Sequence, residues 1–440
     1  AANYAGPSIT LGFLIAGIGC ALAGLCYAEL SSSIPISGSA YTYTYATMGE
    51  FLAWIIGWDL VLEYAVGAAT VGVAWSEYLN KFLVEVIHVS PIPYEWSHSP
   101  FQTSPEGING IMNLPALFIV TVISLLLMRG IQESSFVNNI IVIIKVTVVI
   151  LIIALGWNYI NPINHSNYIP SPTKYIDHQG ITHNFGGIMG ILGAAGTVFF
   201  AFIGFDAVST AAQETKNPKK AMPMGILGSL IICTILYVLF AHVLTGLVDL
   251  EFFRDPNKGG EASVVAAIQE AMPKYEWLSK SITIAILAGF SSVILVMLLG
   301  QSRVFYSMSK DGLLPQVFST IHPKYKTPYK GNLVILLLVG IFAAFVPGNV
   351  VGHMTSIGTL FAFILVCAAV IILRKNAPDL PRQFKTPLVP FLPILGIIVC
   401  GAMIFGLGWE NWMRLFIWLF IGIIIYFFYS KKHSKLRDSK

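Results

Sequence analysis

Gly196-Thr-Val-Phe-Phe-Ala-Phe-Ile-Gly-Phe-Asp-Ala-Val-Ser-Thr-Ala-Ala-Gln-Glu-Thr215 lies in an apolar segment running from about Phe185 to Ala212. That length suffices to cross the roughly 30 Å hydrocarbon core of a bilayer. Gly204 and Asp206 stand near its middle. A carboxylate at that depth is tolerated where it faces a cavity or caps a broken backbone, and a neighbouring glycine supplies the freedom a break needs. Phe200 to Asp206 therefore reads as the point where a helix unwinds and restarts. Asp206 would cap the new half-helix, and the carbonyls freed just before it would face a polar substrate. A kinked core helix with a buried, hydrogen-bonded Asp206 fits the same residues.

The surroundings of this stretch are those of a bilayer. Of 440 residues, 55% are hydrophobic and 11% charged, with a mean hydropathy of +0.73. This balance excludes a soluble globular domain and implies an all-α polytopic membrane protein, one integrated unit over 1–440. Apolar segments of spanning length fall near 7–30, 40–66, 114–128, 136–157, 187–212, 223–248, 281–307, 332–347, 353–373, 388–407 and 412–429, eleven in all. The larger share of the Lys and Arg residues lies on one side if the tail Lys431 to Lys440 is cytoplasmic, which sets the orientation. Ala1 then falls outside with nothing before it to bring it there, so a twelfth, preceding helix is expected. Between the spans, Ala262 to Met272 shows helical periodicity and reads as a surface helix, a lid or a cover. The loops 89–113 and 158–184 are rich in Pro, Ser, Asn and His and nearly free of basic residues. Cys20, Cys26, Cys233, Cys367 and Cys400 have neither metal-ligand nor disulfide spacing.

Charges inside the spans are few, and each is a candidate. Asp59 and Glu63 are four apart and share one helical face. They cannot both stay buried, ionised and unpaired, so one is expected to reach a donor or water. Lys145 sits mid-span and must pair, lose its proton or face water. Glu29 ends the first span and reads as a solvated boundary residue. His242 and His353 read as ordinary hydrogen-bonded residues. Among Phe199, Phe200, Phe202 and Phe205, one or two could close over a ligand. The chain carries no phosphate-binding loop, no catalytic or metal motif and no basic patch for nucleic acid. Neither cofactor nor metal is expected.

Four stretches together resemble amino-acid permeases of the amino acid–polyamine–organocation superfamily, nearest its cationic amino acid transporter branch. They are Gly196 to Pro223, Gly300 to Pro315, Tyr27-Ala-Glu-Leu with Pro35 to Tyr41, and Gly57-Trp-Asp-Leu-Val-Leu-Glu-Tyr64. The resemblance implies a LeuT-like inverted repeat of five plus five helices with two extra C-terminal helices. The repeats would be 7–157, lacking its first helix, and 187–373; the additions are 388–429. The family's broken first helix, with its glycine-rich turn for the substrate carboxylate, has no match in this sequence. The resemblance further implies that carbonyls of Phe200, Ala201 and Ile203 bind the substrate amino group. Glu63 and Met297 would approach the side-chain end, and Lys145 would touch the first broken helix and couple protons in place of sodium. The function implied is secondary active transport of L-amino acids across the plasma membrane by proton symport, with no oligomer required. Met297 favours small neutral substrates such as alanine; Glu63 argues for cationic ones. An exchanger, and a membrane-embedded amino-acid sensor, are the alternatives.

Overall fold

A backbone in hydrocarbon has no water to bond, so its amides must pair within the segment. The apolar runs accordingly form helices. The computed structural model describes residues 1–33, 38–104, 106–130, 135–176, 182–207, 217–254 and 263–435. In chain order the principal helices are α1 (Ile9–Ser33), α2 (Ser39–Met48), α3 (Glu50–Val61), α4 (Gly67–Phe82), α5 (Leu114–Met128), α6 (Ser135–Gly156) and α7 (Gly187–Val198). They continue with α8 (Pro218–Leu247), α9 (Ser263–Ala271), α10 (Glu276–Lys310), α11 (Tyr329–Phe345), α12 (Gly348–Asn376), α13 (Phe391–Gly406) and α14 (Trp409–Ile425). Among the described residues, seven helical segments are long and apolar enough to cross a membrane, and four shorter apolar helices accompany them.

One segment boundary is corrected here. The segment expected at 40–66 is two helices, because Gly49 takes φ +88° and ends α2. The long apolar helix starts at Glu50 and runs to Ile87. It passes through a π-helical turn, Leu62–Val66, between α3 and α4. Toward the end of the loop 158–184, Thr173–Ile176 (β1) pairs antiparallel with Thr182–Phe185 (β2). The periodic stretch after 262 does form a helix, α9, which buries Val265, Ala267 and Ile268 and packs on α8 and α10.

Packing separates into two groups. α1 lies on α7, α8 and α13, while α4 lies on α5 and α10, and α5 on α11. α12 touches both groups, and α6 bridges α8 and α10. Small residues set the closest approaches, as is usual between helices in lipid. A Cβ on Gly406 of α13 would stand 2.6 Å from the backbone carbon of Leu192 in α7, and one on Gly193 would stand 3.1 Å from the Gly406 carbonyl oxygen.

Glu29 is not a solvated boundary residue. It is fully buried. Its carboxylate accepts hydrogen bonds from Arg374 Nε (3.0 Å) and Nη2 (2.7 Å) and from the Thr386 N–H (2.7 Å). The Arg382 guanidinium completes the site at 3.2 Å. Arg382 in turn donates to the carbonyls of Ala377, Pro378 and Leu380. This clamp ties the end of α1 to the end of α12 and to the segment leading into α13. Removing one partner of such a buried pair costs about 3–5 kcal/mol, since the other charge is left stranded.

Replacing Gly406 by Val should force α7 and α13 apart. The cost expected is about 1–3 kcal/mol, read as a melting temperature several degrees lower in detergent. Gly401→Val on the same helix, where a Cβ meets nothing within 4 Å, should leave melting unchanged. Equal effects would show that the glycine contact does not set the helix spacing.

Candidate functional site

The regular hydrogen bonding of α7 stops at Val198. A 3₁₀ turn, Phe199–Phe202, follows, and Ile203 is extended. Gly204 takes φ +111° with open space around its Cα, so it is the backbone angle and not crowding that calls for glycine there. Ile203 N–H returns to the Phe200 carbonyl at 3.2 Å, and Ala207 N–H to the Gly204 carbonyl at 3.1 Å. From α8, the Tyr237 hydroxyl donates to the Ala201 carbonyl at 2.9 Å. Two of the three carbonyls expected to face substrate are thus engaged within the chain. The half-helix that Asp206 was expected to cap falls in 208–216, outside the described residues.

Asp206 itself is fully buried. Its Oδ2 accepts a hydrogen bond from the Tyr64 hydroxyl and another, at 3.4 Å, from Ser39 Oγ. Glu63, the residue before Tyr64, is also fully buried, and among the described residues no hydrogen bond reaches either of its carboxyl oxygens. A charged carboxylate buried without a donor is costly. Asp59, one turn earlier on α3, is also fully buried, and its Oδ1 stands 3.2 Å from where a Cβ on Gly358 of α12 would be. Among the described residues, no donor reaches either oxygen of Asp59. Glu63 and Tyr64 both belong to the π-helical turn. The wider turn changes the direction in which successive side chains leave the helix, and such turns recur at functional sites.

Aromatic rings enclose this polar centre. Tyr27 meets Phe205 and Phe363 edge to face at 5.9 and 5.6 Å, and Phe199 packs on Phe363 at 5.4 Å. Phe202 faces away, toward Tyr237 and Phe13. Phe200 is half-buried.

Met297 on α10 is nearly buried, and its Sδ lies 3.2 Å from the Cβ position of Gly67, one turn beyond Glu63. Met297 and Asp206 thus each touch the stretch Tyr64 to Gly67, Asp206 at Tyr64 and Met297 at Gly67. Lys145 lies against α10 elsewhere: its Cδ stands 2.6 Å from the Cβ position of Gly289. That is two turns, roughly 12 Å, from Met297 along the helix.

Sequence reasoning missed Tyr64, Ser39 and Gln301. Gln301 is fully buried, and among the described residues neither end of its amide has a partner. A lone amide in an apolar span was the available signal for it. Tyr64 carried none beyond its place next to Glu63. His242 belongs to an aromatic group, its ring 4.6 Å from that of His165 and 5.6 Å from that of Trp157.

Known proteins share this chain's sequence over nearly its whole length. The family described as amino acid permease matches residues 1–431. The branched-chain amino acid permease BcaP of Bacillus subtilis (strain 168) is 45% identical, over 99% of this chain and 88% of that protein. The methylthioribose transporter of the same organism is 38% identical, again over 99% of this chain and 88% of the relative. The vacuolar cationic amino acid transporter 4 of Arabidopsis thaliana is 28% identical, over 100% of this chain and 88% of that protein. These relatives are named permeases and transporters, which are not enzymes. With a match over residues 1–431 and a chain of apolar, membrane-length helices, this protein belongs to the amino acid permease family.

Proposed function

We propose that the chain is a secondary active transporter that carries neutral L-amino acids across the plasma membrane in symport with protons, its C-terminus cytoplasmic. The observation that carries this reading is the placement of Met297 beside Gly67, which lies one turn from Glu63. A thioether at the side-chain end of a pocket fills space that a long cationic side chain would need. The sequence argument favoured substrates as small as alanine. The two relatives named as branched-chain permeases, 45% and 33% identical, support a somewhat larger aliphatic side chain. The relative named for methylthioribose gives a second reading, a thioether sugar. Uptake competition in proteoliposomes decides between them, with alanine, leucine, isoleucine, valine, arginine and methylthioribose as competitors. Competition by the neutral amino acids alone is expected; competition by methylthioribose alone would overturn the assignment.

Met297→Ala should widen the pocket, admitting larger or cationic side chains with Glu63 as counter-charge. Arginine should then compete at least tenfold better than against the parent. Unchanged selectivity would mean that Met297 does not face the substrate.

Lys145 is the group assigned to proton coupling. Gaining and losing a proton would switch a charge-assisted hydrogen bond worth roughly 1.5–3 kcal/mol, enough to bias a two-state bundle about tenfold or more. The protonated ammonium holds the closed state, and deprotonation releases it. A folded, substrate-binding Lys145→Ala protein should therefore take up substrate without response to an imposed pH gradient. Gradient-driven uptake equal to the parent's would remove Lys145 from coupling.

A further inference from the structure

Beyond α14 the chain is tied back onto the end of α10. The Ser430 hydroxyl donates to the Leu313 carbonyl at 2.8 Å, and the Lys435 N–H to the Asp311 carbonyl at 3.1 Å. Glu50, at the start of α3, accepts from the hydroxyls of Tyr426 at 2.9 Å and Ser434 at 2.5 Å. Gly312 makes room for this tail. It takes φ +84°, and a Cβ there would stand 2.1 Å from the His433 carbonyl oxygen.

The docked tail closes a cavity of about 420 Å³ against the stretch 309–320, within the roughly 300–1,000 Å³ range of small-molecule sites. Its charged lining is Lys310, His433 and Lys435, and among the described residues no carboxylate lines it. None of the three forms an ion pair with an acid among those residues. Asp311 feels the charge of Lys435, but its carboxylate is taken by the Tyr41 hydroxyl at 2.7 Å. The hydroxyls of Ser319 and Thr320 on the wall are turned to the Gln316 carbonyl, at 3.2 and 2.8 Å. His433 spends its Nδ1 on the Tyr429 carbonyl at 2.9 Å and stacks on the Tyr429 ring at 4.3 Å. That leaves Nε2 for a ligand, as a donor when the ring is cationic. A cavity walled by one sign of charge concentrates the opposite sign.

The depth of the cavity narrows the ligand. The apolar helical segments on its two sides end at Lys310 and His433. Just before it, Phe427 and Phe428 are 50% and 75% exposed, and Lys431 Nζ lies over the Phe427 ring at 5.2 Å. Exposed rings followed by lysines mark the boundary between hydrocarbon and water, and that is where lipid phosphates lie. We propose that this cavity is a phosphate-binding site, in which Lys310 and Lys435, with His433 as the third donor, hold the phosphate of an anionic lipid headgroup or a free phosphate. The site is separate from whatever the chain carries, and its test reads binding rather than uptake.

Native mass spectrometry of the full chain in detergent tests it, with phosphatidylglycerol, phosphatidylcholine or inorganic phosphate added singly. Retention of phosphatidylglycerol at least about fivefold above phosphatidylcholine is expected. Inorganic phosphate that is retained and displaces the lipid would assign the site to free phosphate; lipid that stays bound against it assigns a headgroup. Retention of neither phosphate nor phosphatidylglycerol, or equal retention of the two lipids without phosphate, overturns the proposal. Lys310→Ala, His433→Gln and Lys435→Ala together should lower binding at least about fivefold, whereas Lys324→Ala, Lys375→Ala and Lys432→Ala, three lysines outside the cavity, should change it less than about twofold. Equal losses would mean attraction by overall charge and no site. Gly312→Val keeps all three cations and pushes the tail away, so it should lose binding as the triple variant does; full binding by the folded Gly312→Val chain would show that the tail forms no part of the site.

Discussion

A carboxylate taken out of water must be met by a donor, a cation or a proton, and the structure of this protein follows from how its buried acids meet that demand. Glu29 is met by two guanidinium groups and a backbone N–H. Such a site is complete, and completeness makes it rigid. Asp59, Glu63 and Asp206 are equally buried, yet among the described residues only Asp206 is met by donors, the hydroxyls of Tyr64 and Ser39. Such a centre responds to the arrival of a proton or a polar ligand, because its charge is not already balanced.

The backbone around that centre is irregular on both sides. The break after Val198 brings Asp206 inward, and the π-helical turn brings Tyr64 to meet it. In a bilayer, non-helical backbone is tolerated only where protein or a cavity covers it. Here the rings of Tyr27, Phe199, Phe205 and Phe363 provide that cover. Regular helices elsewhere pack through glycines at close approach, as Gly193 and Gly406 do. The molecule thus concentrates its irregularity where polar groups must converge.

Much of this was legible in the residues. Hydropathy located the apolar helices, and glycine beside a buried aspartate located the break at Gly204, because both signals are local: they depend on what a segment of chain can do in lipid by itself. The extent of the helix through Glu63 was not legible. Its apolar run continues without a stop past Val66, while the actual interruption lies earlier, at Gly49, where only the backbone angle reveals it.

What only the tertiary structure decided is which charges meet. Glu29 and Arg374 are 345 residues apart in the chain, and Asp206 and Tyr64 are 142 apart. No periodicity or spacing carries such a pairing. A glutamate at a helix end reads as solvated until another helix end is laid beside it, and a tyrosine next to Glu63 reads as packing until Asp206 comes within reach of its hydroxyl. The sequence by itself determined that this chain is a helical membrane protein with a break and buried acids. The packing of the helices determined that one acid became a clamp and the others a responsive centre, because burial and partner identity belong to the assembled bundle and not to any one segment.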